Sequence, residues 1–167
     1  MSFGSTVPHA MDGLITTVSA RAALADVKIL REWPRNEQDA VSEDGAAEAM
    51  WVGKDGEQST EGTSDVVVMT AGRLRFDETY TLWLTLQVLQ PEGTMESAAE
   101  RAWTLQYEVV AAVAADPKLG VVQVANEVGF FEVRGYRFSS NTRFLAKGGA
   151  ACQVVVGFDC HARIEAT

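Results

Sequence analysis

Residues Tyr80 to Val113 constrain the fold more than any other stretch, because the hydrophobic period changes once, abruptly, in the middle of it. Tyr80, Leu82, Leu84, Leu86 and Val88 alternate with Thr81, Trp83, Thr85, Gln87 and Leu89. One face is apolar and the other mostly polar, which predicts a half-buried strand. Pro91-Glu92-Gly93 stops it, since proline cannot donate to a ladder and glycine permits the reversal. From Thr94, a capping residue with Glu96 near the helix's positive end, Met95, Ala98, Ala102, Leu105, Val109 and Val113 recur at helical spacing as far as Asp116-Pro117. A helix joined so closely to a strand lays its apolar stripe on the strand's apolar face. That pairing is the predicted core.

The remaining elements obey the same logic. Ala10, Leu14, Val18, Ala22 and Ala25 predict a weaker first helix from Ser5 or Thr6 to about Leu24, with Pro8 in its first turn. Short strands are expected at Val27–Arg31, ended by Trp33-Pro34, and at Ala49–Val52. Residues 35–48 and 53–65 are acidic and rich in small residues, and read as loops. Asp65–Thr70 is extended; whether it joins Arg73–Phe76 as one bent strand or as a hairpin stays open. Val121 to Phe138 reads as a strand with bulge sites at Gly129 and Gly135, and then a polar hairpin tip at 139–149. The last strand is the most regular, with Ala150, Cys152, Val154, Val156, Phe158, Cys160, Ala162 and Ile164 on one face. The predicted class is α+β: one domain over 1–167, a mostly antiparallel sheet with two helices on one face and a long C-terminal hairpin.

A chain of 167 residues, 47% of them hydrophobic, buries a core without metal or disulfide staples. It has no apolar run of membrane-spanning length and no secretory pattern at its start, so a soluble intracellular protein is expected. The formal charge of −9 is concentrated: residues 35–65 hold nine acids against Arg35 and Lys54. The near-neutral remainder lacks the clustered Lys and Arg that grip nucleic-acid phosphates. Cys152 and Cys160 in one strand stand roughly 26 Å apart at about 3.3 Å per residue, too far to form a disulfide. Both read as buried thiols.

Catalytic patterns are scarce. His9 and His161 have no second ligand at zinc spacing, and no phosphate-cradling loop or nucleophile elbow occurs. Asp55, Glu57 and Glu61 lie among glycines and serines and read as solvated carboxylates, not as a rigid acid–base pair. Asp77-Glu78 reads as the turn leading into the long strand. No catalytic residue, metal or cofactor is assigned.

Large side chains where water is expected carry more information. Trp83 falls on the polar face, aromatics fall on both faces of 130–138, and Trp103, Tyr107, Val110 and Ala114 form a second helical stripe. Such a surface fits contact with protein. Trp83, Phe131, Tyr136 and Phe144 are its candidate apolar residues, and Arg73, Arg75, Arg134, Arg137 and Arg143 its candidate partners for acids of a neighbouring copy.

The first helix with Val27–Trp33, the stretch Arg73-Leu-Arg-Phe-Asp-Glu-Thr-Tyr-Thr-Leu82, the helix from Ser97 to Pro117 and the closing strand pair together resemble the tail terminator proteins of long-tailed, siphovirus-like bacteriophages. The resemblance lies in element order and character over nearly the whole chain. It implies a virion protein, assembled in the host cytoplasm, that forms a hexameric ring on the last ring of the tail tube. Such a ring meets the major tail tube protein on one side and a neck or head-tail connector protein on the other. DNA passes through its lumen without specific binding. No enzymatic activity or cofactor is implied, and Asp55, Glu57, Glu61 and Asp65 are the candidate lumen acids. A tail-tube or connector subunit is the alternative, and a small α+β enzyme or ligand-binding domain comes third.

Overall fold

A computed structural model describes residues 5–30, 48–53, 61–70, 73–124, 128–146 and 149–165, through the backbone alone at 61–70, 73–75, 123–124 and 146. The long strand and long helix lie where the period change puts them: β4 spans Arg73–Gln90 and α2 spans Met95–Ala115. Thr94 Oγ1 accepts from the Ser97 N–H at 3.1 Å, and Ser97 Oγ accepts in return from the Thr94 N–H at 3.0 Å. This reciprocal box satisfies two amides that the first helical turn cannot. Ser97 Oγ also donates to Gln90 Oε1 at 2.6 Å, tying the helix start to the strand end.

The other elements are α1 (Val7–Ser19), with a 3-10 turn after it at Ala22–Leu24, β1 (Lys28–Leu30), β2 (Glu48–Val52), β3 (Glu61–Thr70), α3 (Val121–Val124), β5 (Val128–Ala146) and β6 (Gly149–Glu165). The sheet is six-stranded, in the order β1-β2-β4-β6-β5, with β3 on β4 beside β2. β2 takes the Leu84–Val88 half of β4 and β3 the Arg73–Thr81 half. Among the described strands only β1 and β2 run parallel. The fold is α+β, and β6 occupies the interior between β4 and β5.

Both main helices cover one face. Leu82, Leu84, Leu86 and Val88 of β4, Cys152, Val154, Val156 and Phe158 of β6, Leu14 and Val18 of α1, and Ala102, Leu105 and Val109 of α2 form one buried cluster. α1 is also held at its first turn, where the Glu78 carboxylate accepts from the Thr6 N–H and hydroxyl.

Several boundaries differ from those the sequence predicts. The first helix ends at Ser19, and its last turn is replaced by the 3-10 turn. Residues 121–124 are helical, not extended. β3 and β4 are two strands of a hairpin, which settles the choice between hairpin and bent strand. The expected 53–65 loop is shorter, because β3 begins at Glu61 and places Glu61 and Asp65 in a ladder with β4. The expected hairpin tip at 139–149 is mostly strand: β5 continues to Ala146 and β6 begins at Gly149. Polar Ser139, Ser140, Asn141 and Thr142 mimic a loop in sequence because an edge strand tolerates them. The acidic 35–47 segment lies outside the described residues.

Candidate interaction surface

β5 closes one edge of the sheet and, among the described residues, pairs only with β6. Its side-chain parity changes along its length. Phe131 and Val133 stand opposite Ala162 and Cys160; past a bulge at Arg134, Tyr136 and Phe138 stand opposite Phe158 and Val156. Past a second bulge at Ser139, Asn141, Arg143 and Leu145 stand opposite Val154, Cys152 and Ala150. Each bulge inserts one residue and so returns the next segment of the strand to the same face. All of these residues share the helix-bearing side.

α2 packs alongside β5. Its outer stripe of Trp103, Tyr107, Val110 and Ala114 forms a wall, and Tyr136 and Phe138 form a floor beside it. The Trp103 and Phe138 rings meet at 4.9 Å between centroids, tilted by 33°. A groove of about 180 Å³ opens between Val110, Val113 and Ala114 on α2 and Val133 to Tyr136 on β5, with Phe158 lining it as well. Tyr107 is 70% exposed and Tyr136 57%. Trp103, Phe138 and Leu145 are exposed with them. Trp103, Tyr107, Tyr136 and Phe138 thus present exposed aromatic surface that water disfavours.

The opposite face of the sheet is buried around Trp83, Thr85 and Gln87. Trp83 is only 5% exposed, which corrects its assignment to an outward surface. Gly157 stands opposite it in the ladder and leaves room for the indole. A Cβ there would come within 2.6 Å of the ring. Ala49, Trp51, Leu89 and Ala151 form a second buried cluster on this side, and Phe144 packs against it half-buried. Thr85 Oγ1 donates to the Gly53 carbonyl at 2.7 Å. Gln87 is fully buried between Ala49 and Gln153 in register, and among the described residues neither of its side-chain polar atoms has a hydrogen-bond partner. This half of the face that reads as polar in sequence is therefore buried.

Towards the other end of this face the sheet is ion-paired. Arg163 donates to both Asp77 oxygens, at 2.8 and 3.1 Å. That hydrogen bond holds the Asp77 carboxyl below its ordinary value, and His161 Nε2 adds to the effect from 3.8 Å. Arg137 donates to Asp159 at 2.6 Å, and Asp159 also accepts from Thr81 Oγ1 at 3.0 Å. Arg137 is thus occupied within its own chain.

Of the remaining sequence candidates, Tyr136, Arg134 and Arg143 are exposed on β5. Arg134 lies 5.9 Å from the Phe130 ring centroid. Phe131 is not a surface residue: at 1% exposure it belongs to the helix-side core, because the Arg134 bulge comes after it. Arg73 and Arg75 lie in β4, with side chains outside the described residues, and Asp55 and Glu57 fall outside them altogether. Trp103, Tyr107 and Phe138 belong to the surface although the sequence alone assigns none of them to a site. The helical stripe signals the first two, whereas their meeting with Phe138 depends on the bulges.

Among the described residues no group of three His, Cys, Asp or Glu side chains is arranged to hold a metal ion. Burial pushes the Cys152 thiol up and the Cys160 thiol up to about 12, leaving both as poor nucleophiles. No helix among the described residues is long and apolar enough to cross a membrane. Comparison with known proteins finds no family model and no curated protein that matches the chain.

Proposed function

We propose that this chain is a structural ring subunit of the tail terminator kind, which caps a phage tail tube, ends its elongation and joins it to the neck. The observation that carries the reading is the set of exposed aromatics that α2 and β5 present together, Trp103, Tyr107, Tyr136 and Phe138. The two edges of the sheet are unlike, β5 on one side and β1 with β3 on the other. Contact between unlike surfaces propagates from copy to copy and closes into a ring when the rotation permits. A hexamer is the closure the resemblance implies. The net charge of −9 suits a ring through which DNA slides, because no counterion release would hold the phosphates.

Light scattering of the purified chain, alone and mixed with tail tube rings, tests the reading. The expected result is a single ring that stops there or caps a tube, visible in electron micrographs. Long cylinders from the chain alone would instead identify a tube subunit. A chain that stays monomeric at high concentration, with and without tube rings, would overturn the reading.

A further inference from the structure

We propose that the groove between α2 and β5 takes the amino-terminal corner of α2 from a second copy of this chain, in a head-to-tail contact. The proposal rests on the ring reading and adds to it the two surfaces that meet. A ring needs contact between unlike surfaces, and the two ends of the helix-bearing layer are unlike. At one end Val110, Val113, Ala114 and Val133 give the groove apolar walls, and Arg134 and Pro117 line it as well. Lys118 follows Pro117 and is exposed, with no ion pair among the described residues. Arg134 meets Glu132 only across 3.9 Å of solvent-exposed surface, so little of its charge is held in place. This end therefore offers two bases against Asp116, the C-cap of α2.

At the other end the sign reverses. Glu96 and Glu100 continue the outer stripe of Trp103 and Tyr107 at helical spacing, and Glu92 precedes the helix. All three are exposed, and none has an ion pair among the described residues. Arg101 is taken up by Glu48, which leaves Arg143 of β5 as the base nearby. Met95 and Leu145 are the exposed apolar side chains of this end. Leu145 shares a row of the sheet with Ala150 and Gln90, and Ser97 ties α2 to that same Gln90. Met95 is unbranched and adapts to an irregular apolar gap such as the groove. From Glu96 to Ala114 the helix runs roughly 27 Å at 1.5 Å per residue, too far for the chain to pair these acids with Arg134 and Lys118 itself. Groove against acidic corner gives each charge an opposite and repeats in one direction.

The test uses three full-length variants. Lys118→Glu with Arg134→Glu makes the groove end acidic, Glu96→Arg with Glu100→Arg makes the corner basic, and Ala114→Trp fills the groove without altering charge. All five positions are exposed, and circular dichroism with thermal unfolding confirms that each variant folds. Light scattering is expected to show loss of the ring-sized species for each variant alone. Mixing the two charge variants in equal amounts is expected to restore it, since every contact of an alternating ring again joins acid to base. Ala114→Ser keeps the groove open and is expected to assemble as the wild type does. Charge and groove-filling variants that still form rings, or charge variants that stay apart when mixed, would overturn this contact and leave the ring reading standing. A wild-type chain that stays monomeric or stops at a dimer would remove the ring reading and this contact with it.

Discussion

The Glu78 carboxylate accepts hydrogen bonds from both the backbone N–H and the hydroxyl of Thr6, at 2.9 and 2.6 Å, across seventy-two residues of chain. It sits at the positive end of α1, and the Thr6 hydroxyl is also 2.9 Å from Tyr80 Oη. Hydrogen bonds to a buried charged group contribute more than neutral ones. Glu78→Ala is expected to lower the unfolding free energy by about 2 kcal/mol, and Glu78→Gln by less. Urea denaturation monitored by circular dichroism measures both.

Gly157 makes room for the Trp83 ring. Gly157→Ala puts a methyl group against a rigid indole inside a closed face and is expected to cost about 1–3 kcal/mol. A lower denaturation midpoint with altered tryptophan emission would show it. An unchanged midpoint would mean that the indole moves freely, contrary to its burial.

Gln87 gives the opposite sign. Its amide is buried with both polar atoms unpaired, so Gln87→Met removes a desolvation penalty while nearly keeping the shape. A gain of about 1 kcal/mol or more is expected in the same denaturation experiment.

The Asp77–Arg163 pair predicts a pH dependence. The folded-state pKa of Asp77 is lowered from 3.8, chiefly by the Arg163 hydrogen bond. A lowered carboxyl pKa contributes stability that is fully present above the unfolded value and is lost as pH falls through the folded one. The stability difference between wild type and Asp77→Asn should therefore be full near neutrality and shrink below 3.8. Unfolding midpoints measured across that range test the sign.

Cys152 and Cys160 are buried with raised pKa values, so the folded protein should react slowly with thiol-specific reagents at mildly alkaline pH. Labelling with Ellman's reagent is expected to require denaturant. Rapid labelling of the native chain would show that the β6 core opens locally.

The sequence displays β4, β6 and α2 because their periods are strict and a single face decides each one. Tyr80 to Val88 and Cys152 to Ala162 hold parity without a break, and Thr94 announces the helix start. β5 is illegible in detail, since bulges beside Gly129, at Arg134 and at Ser139 each reset the alternation. Glycines at 129 and 135 hint at two of them; nothing marks the third. Alternation puts Trp83 on a wet surface because Thr85 and Gln87 surround it, yet both are fully buried. Polarity reports exposure poorly where both faces of a sheet are buried, as they are from Trp83 to Gln87. The surface itself is half visible: helical spacing exposes Trp103 and Tyr107, but only the bulged register brings Phe138 beneath them.

β6 lies between β4 and β5 and is the last described element to leave the ribosome. Until it emerges, β4 has no neighbour on that side and β5 has none at all. The nascent chain must hold two long, sticky strands apart while its local helix forms first. That one placement makes the β4–β6 pairing a late, non-local step of folding.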